Sequence, residues 1–132
     1  GPPIRRCGTS PRATGSAMRR GDIWLVDLNP VRGSEANKIR PAVVVSNDRA
    51  NTATARLGRG VVTVVPVTSN VTTVYPFQVL LVADASGLSS DCKAHAEQVR
   101  SVAVERLTQF VGRLAASELA LLDDALRLHL DL

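Results

Sequence analysis

From Ile23 to Leu28 the chain reads Ile-Trp-Leu-Val-Asp-Leu, an apolar run of strand length that ends at the turn signal Asn29-Pro30. A second run, Pro41-Ala42-Val43-Val44-Val45-Ser46, is apolar on consecutive positions, which predicts a strand over 41–46 buried on both faces. Ser46-Asn47-Asp48 offers an N-cap for a short helix over 49–54. After Gly58 and Gly60, residues 61–68 are β-branched throughout except at Pro66. Pro66 has no N–H for a ladder, so it predicts an edge position or a bulge in this third strand. Residues 69–73 read as a turn, 77–82 as a fourth strand and 87–90 as another turn. The stretch 92–102 alternates small and polar residues and predicts one strand exposed on a face. A single helical turn over 104–107 and a short strand over 110–114 follow.

The clearest periodicity comes last. Leu119, Leu122, Leu126 and Leu130 recur at helical spacing, and Leu121, Ala125 and Leu128 widen the stripe. Ser117 is expected to cap this helix, with Glu118 in the first turn where the helix dipole favours an anion. Short strands with turn signals about every ten residues predict a mainly β, α+β fold. The expected architecture is a small antiparallel, barrel-like sheet with the C-terminal helix packed on it. There is no repeat, heptad seam or βαβ alternation.

With 132 residues the chain is expected to form one domain, and with 45% hydrophobic but only 3% aromatic residues its core must be aliphatic. No apolar run approaches membrane-span length, so no membrane association is expected. The N-terminus has basic residues without an apolar centre, unlike a secretory signal. Residues 1–17 mix Pro, Gly, Ser, Thr and Arg without periodicity, which predicts a disordered extension or an expression remnant ahead of a working domain over 18–132. Cys7 and Cys92 are expected to be free thiols in a reducing, cytoplasmic setting. The net charge of +4 is segregated: residues 18–117 hold twelve basic against eight acidic side chains, whereas 117–132 hold four acids against Arg127. A basic body suits an anionic partner, and equally a plain solvated surface.

Candidate chemistry centres on Gly33-Ser34-Glu35-Ala36-Asn37-Lys38-Ile39-Arg40-Pro41. Pro41 biases Arg40 to an extended backbone, so its guanidinium is expected where the loop meets the sheet. That fork of donors suits phosphate oxygens. Phosphate-loop and serine-elbow motifs are absent. No His/Cys pair has ligand spacing, so neither metal nor cofactor is expected. His129 reads as a structural residue at a helix end, and His95 as core or interface packing rather than catalysis. There remain Arg40 with Glu35 and Lys38, the strand end Thr68-Ser69-Asn70, and the cluster Glu97-Gln98 with Arg100. If the second and third strands pair, Arg40 and Thr68 approach one another. Each group also has a plain reading: a surface salt bridge, a strand-end cap, a solvated edge.

Taken together these residues resemble the MazF/PemK family of toxin endoribonucleases. The match runs through Arg20-Gly21-Asp22-Ile23-Trp24, Asp27-Leu28-Asn29-Pro30, Gly33-Ser34-Glu35, Arg40 to Ser46, Pro66-Val67-Thr68-Ser69, Tyr75-Pro76-Phe77 and Asp91 through Glu97-Gln98-Val99-Arg100-Ser101, and ends in the Leu-rich helix. It covers 18–132. The resemblance implies an SH3-like barrel, a homodimer with single-stranded RNA in a groove across it, and inhibition by a cognate antitoxin, with DNA contacted only through the antitoxin complex. It implies metal-free, sequence-selective cleavage by the neighbouring 2′-hydroxyl, leaving a cyclic phosphate and a 5′-hydroxyl. Carried over by motif, Arg40 and Thr68 are the catalytic pair, and Glu35, Asn37, Lys38, Ser69 and Gln98 are RNA contacts. Glu35 is the more natural proton acceptor, because arginine stays protonated. The sequence departs from the family at Lys93 and His95, where apolar residues are common. Two rivals are a gyrase-poisoning toxin on the same barrel and a non-catalytic SH3-like interaction module. The C-terminus His129-Leu130-Asp131-Leu132 lacks an aromatic tip for the first, and aromatics are too few for the second.

Overall fold

The computed structural model describes residues 18–28 and 39–132. The expectations for residues 1–17 and for Glu35, Asn37 and Lys38 lie outside these described residues. Seven strands form: β1 (Asp22–Asp27), β2 (Ile39–Val44), β3 (Val61–Thr68), β4 (Gln78–Leu81), β5 (Cys92–His95), β6 (Arg100–Ala103) and β7 (Leu107–Arg113). Three α-helices accompany them among the described residues: α1 (Asp48–Leu57), α2 (Ala83–Ser86) and α3 (Ala116–Leu130). Pairing is antiparallel throughout, in the order β4-β5-β3-β2-β1-β7, with β6 also on β3. The expected α+β class and terminal helix are present. The sheet is open, with β4 and β7 at its two ends, rather than a closed barrel.

Consecutive apolar residues in β2 and β3 are explained by burial on both faces. Ala42, Val44, Val62 and Val64 point with Trp24 and Val26 into one cluster that includes Met18, Val102 and Leu107. Val43, Val65 and Val67 point with Ile23 into a second, closed by Val79, Leu81, Leu114 and the α3 residues Leu122 and Ala125. Full burial of a side chain such as Leu122 contributes about 1.5–3 kcal/mol. With few aromatics, the first cluster relies on one edge-to-face pair, Trp24 and Phe110, at 5.7 Å.

The local boundaries differ from the pattern where tertiary contacts intervene. α1 runs to Leu57, beyond the expected 49–54. Asn47 caps it by accepting from Ala50 N at 2.9 Å, and Gly58 ends it at φ 70°. α3 begins at Ala116 with Ala115 at the N-cap, so Ser117 is inside the first turn and does not cap. Glu118 takes that role: Oε1 accepts the N–H of Ala115 at 3.1 Å while Oε2 accepts that of Val82, also at 3.1 Å. The short helix α2 was not foreseen.

The expected single strand over 92–102 is broken by a 3-10 turn at Ala96–Gln98. Its halves, β5 and β6, lie end to end along one edge of β3: β5 pairs with Val67 and Thr68, β6 with Val61–Val64. Pro66 falls between these two pairings. It is therefore in an internal strand, not at an edge, and its missing N–H faces the interruption in the neighbouring ladder. The break lets Glu97 face His95 and Gln78.

Candidate active site

β2 and β3 pair through Ala42 opposite Pro66, Val43 opposite Val65 and Val44 opposite Val64. Extended by two residues, that register brings Arg40 level with Thr68, and the period-2 alternation puts both on one face. On its other side Arg40 lies opposite Val26 of β1. Arg40 and Thr68, each partly buried, therefore occupy the same end of adjoining strands, beyond the last paired residues of the β2–β3 ladder. Ser69 follows Thr68 and is exposed, and Gln98 lies partly buried in the 3-10 turn.

The far edge of β3 completes the site. Thr68 lies opposite Lys93 of β5, and its Oγ1 is 2.6 Å from Nε2 of His95, two residues further along the same face. Nδ1 of His95 is 3.0 Å from Oε2 of Glu97. That carboxylate oxygen also accepts from Nε2 of Gln78 at 3.0 Å, and Gln78, opposite His95 on β4, accepts the N–H of Tyr75 through Oε1 at 3.1 Å. Burial raises the Glu97 carboxyl, but the hydrogen bonds from His95 and Gln78 outweigh it and hold the group below its ordinary value of 4.5. The buried Lys93 donates through Nζ to the Thr73 carbonyl at 2.7 Å and ties down the turn after β3.

His95 is buried, as a packing residue would be, but it also hydrogen-bonds Thr68 and Glu97, contacts the sequence alone did not reveal. Glu97 was legible as part of a polar cluster, but its link to His95 and Gln78 was not. A signal did exist: His95 is two positions from Glu97, in a strand otherwise filled with small residues. Beside this network Tyr75 stacks on Phe77, with ring centroids 5.6 Å apart and planes at 9°, leaving Tyr75 52% exposed. Among the described residues no group of three or more His, Cys, Asp or Glu side chains could hold a metal ion. No described helix is long and apolar enough to cross a membrane. The described cysteine, Cys92, is a buried free thiol.

Residues 19–130 match the family model of the PemK-like, MazF-like toxin of type II toxin–antitoxin systems. The chain is 70% identical over 115 residues to the endoribonuclease MazF9 of Mycobacterium tuberculosis, covering 87% of this chain and 98% of that protein. It superposes on the crystal structure of MazF from Deinococcus radiodurans with a TM-score of 0.71 at 26% identity, covering 87% of this chain and 97% of that one. A mycobacterial endoribonuclease in complex with its cognate antitoxin has the same fold, with a TM-score of 0.70 at 22% identity over 88% of this chain and 97% of that one.

Proposed function

The chain belongs to the PemK-like, MazF-like toxins of type II toxin–antitoxin systems, and on that premise we propose that it cuts single-stranded RNA at a site built on Arg40 and Thr68. As an enzyme it is an endoribonuclease. The observation that carries the site assignment is the β2–β3 register, which brings Arg40 level with Thr68 at one end of the sheet.

The chemistry suits those two groups. Attack of a 2′-hydroxyl on the adjacent phosphorus builds negative charge on the non-bridging oxygens. A fixed guanidinium aimed at that charge supplies the kind of electrostatic stabilisation that dominates such reactions, and a fixed hydroxyl beside it can exchange a proton with the 2′-hydroxyl. The products are a 2′,3′-cyclic phosphate and a 5′-hydroxyl, and no metal ion takes part. Ser69 and Gln98, with Glu35, Asn37 and Lys38 of the segment preceding β2 in the sequence, contact the RNA. Bases are read while splayed from the single strand. The working form is a cytoplasmic homodimer with the RNA groove across it. A cognate antitoxin covers the groove with an acidic segment that complements the basic body, and DNA is met only through that complex.

The test is cleavage of a defined single-stranded RNA in EDTA by the purified protein and by Arg40→Ala and Thr68→Val. Cutting at a short motif is expected, with each variant slower by about 100- to 1,000-fold. Loss of cutting in EDTA would refute metal independence. Full activity of both variants would refute the site. Intact RNA together with inhibited gyrase would favour the gyrase-poisoning reading.

A further inference from the structure

We propose that His95 is a positioning residue that orients the Thr68 hydroxyl and receives its proton, so that Thr68 relays the proton of the attacking 2′-hydroxyl. This rests on the reading of Thr68 as a group that touches the RNA.

The hydrogen-bond directions follow from the chain of partners. Gln78 accepts the Tyr75 N–H through Oε1, which fixes its Nε2 as the donor to Glu97. Nδ1 of His95 faces the same carboxylate oxygen at 3.0 Å, so it must carry a hydrogen; a bare lone pair there would meet the carboxylate's own. The 3.3 Å separation of Gln78 Nε2 and His95 Nδ1 is then two donors converging on one acceptor. In the neutral ring Nε2 is left with a lone pair, and the Thr68 O–H donates to it across 2.6 Å. The free lone pairs of Thr68 Oγ1 are thereby available to accept from substrate. Protonation of His95 reverses the last bond: Nε2–H donates to Thr68, and the relay is blocked. The arrangement is a hydroxyl, an imidazole and a carboxylate in series, the geometry by which a base activates an otherwise weak group.

The step balances. The 2′-oxygen bonds to phosphorus as its proton passes to Thr68 Oγ1 and the Thr68 proton passes to His95 Nε2. The bond from phosphorus to the 5′-oxygen breaks, and that oxygen, on the opposite side of phosphorus, leaves with a proton from solvent water. The imidazolium, held by Glu97, then returns its proton to the hydroxide so formed. No water is consumed overall.

Among the described residues the charged groups around His95 are few. Glu97 faces it from the 3-10 turn, and Lys93 lies on the same face of β5 with Nζ committed to Thr73. Arg40 is level with Thr68 across β3 by register. Asp124 of α3 lines a groove with Gln78 and is paired to Arg127 at 2.9 Å.

The experiment is steady-state cleavage of a defined single-stranded RNA between pH 5 and 8 by the full chain, with His95→Gln, Thr68→Val and the double variant. Expected for His95→Gln is a kcat lower by about 100- to 1,000-fold, an unchanged KM and loss of the rising limb of kcat with pH. The double variant is expected to be no slower than Thr68→Val, since the two act in one chain. His95→Gln with the parent kcat and the same limb overturns the relay, and leaves the site standing if Thr68→Val is inactive. Full activity of Thr68→Val sinks both. If thermal melting shows His95→Gln unfolded, Glu97→Gln decides instead: a kcat reduced about tenfold or more at constant KM supports the relay, and an unchanged pH profile overturns it.

Discussion

Glu118, on the first turn of α3, accepts the backbone N–H of Val82, 36 residues earlier in the chain, at 3.1 Å. The same carboxylate caps its own helix through Ala115. One buried side chain therefore joins the C-terminal helix to the end of β4. Glu118→Ala strips partners from two backbone donors, and an orphaned buried donor costs about 1–3 kcal/mol. Urea unfolding is expected to show a loss of that size with an unchanged slope. A stability equal to the parent's would contradict the assigned role.

Arg113 on β7 holds the fully buried Asp22 at 2.8 Å, although its own side chain is 56% exposed. Burial pushes the Asp22 carboxyl above its ordinary 3.8, against the opposing pull of the Arg19 N–H and the Arg113 guanidinium. Because the folded state holds this proton more tightly than the unfolded chain, stability is lost as pH rises from 3.8 through the folded value. Arg113→Met removes the charge that makes the ionised form tolerable. The expected destabilisation is about 1–2 kcal/mol at pH 7, below that of a fully buried pair because the guanidinium is half in water. At pH 4 the loss should shrink. Equal losses at both pH values, read by thermal melting, would refute this.

Glu97 has the opposite sign. Its carboxyl is lowered below 4.5, so its contribution is present above 4.5 and is lost as pH falls through the folded value. Glu97→Gln is expected to be less stable than the parent at pH 7 and to lose less on acidification below about 4.5. Melting curves between pH 3 and 7 check it, and parallel curves for the two proteins would exclude the linkage.

Gly112 on β7 has no room for a methyl group. A Cβ there would lie 2.0 Å from the carbonyl oxygen of Ser86 and 2.9 Å from its carbon, backbone atoms that cannot swing aside. Gly112→Ala must push α2 off β7, and overpacking of this kind costs about 1–3 kcal/mol or more. Denaturant titration is the measure, and an unchanged midpoint would refute the close approach.

Tyr75, stacked on Phe77 and half exposed, sits two hydrogen bonds from Glu97 through Gln78. As a platform for an unstacked base it would contribute about 1–3 kcal/mol to RNA binding. Tyr75→Ala should therefore raise KM for a single-stranded RNA about tenfold or more with little change in kcat. A lower kcat at constant KM would assign Tyr75 to the chemistry instead.

Patterns of local origin were readable from the residues alone. The β-branched run fixed β3 at both ends, consecutive valines announced burial on two faces, and helical leucine spacing announced α3. Arg40, Thr68 and Ser69 were legible as candidates because a polar or charged residue at the end of an apolar strand is conspicuous, and Gln98 because it belongs to a polar cluster among small residues. The N-cap of α3 was not legible: both Ser117 and Ala115 are compatible with the local pattern, and the choice lies with a carboxylate that also serves Val82.

The sequence by itself determined the class of the fold, the main strands, the final helix and the residues around which chemistry could gather, because each of these depends on spacing within a few neighbouring positions. Only the tertiary structure decided that 92–102 breaks at a 3-10 turn and that the sheet stays open. It alone decided that His95 meets Thr68 while Glu97 and Gln78 converge behind it. Apart from the His95–Glu97 pair, which is two positions apart, those contacts join residues 17 to 27 positions apart across three strands. Strand order and register create them, and neither is written in the period of any single segment.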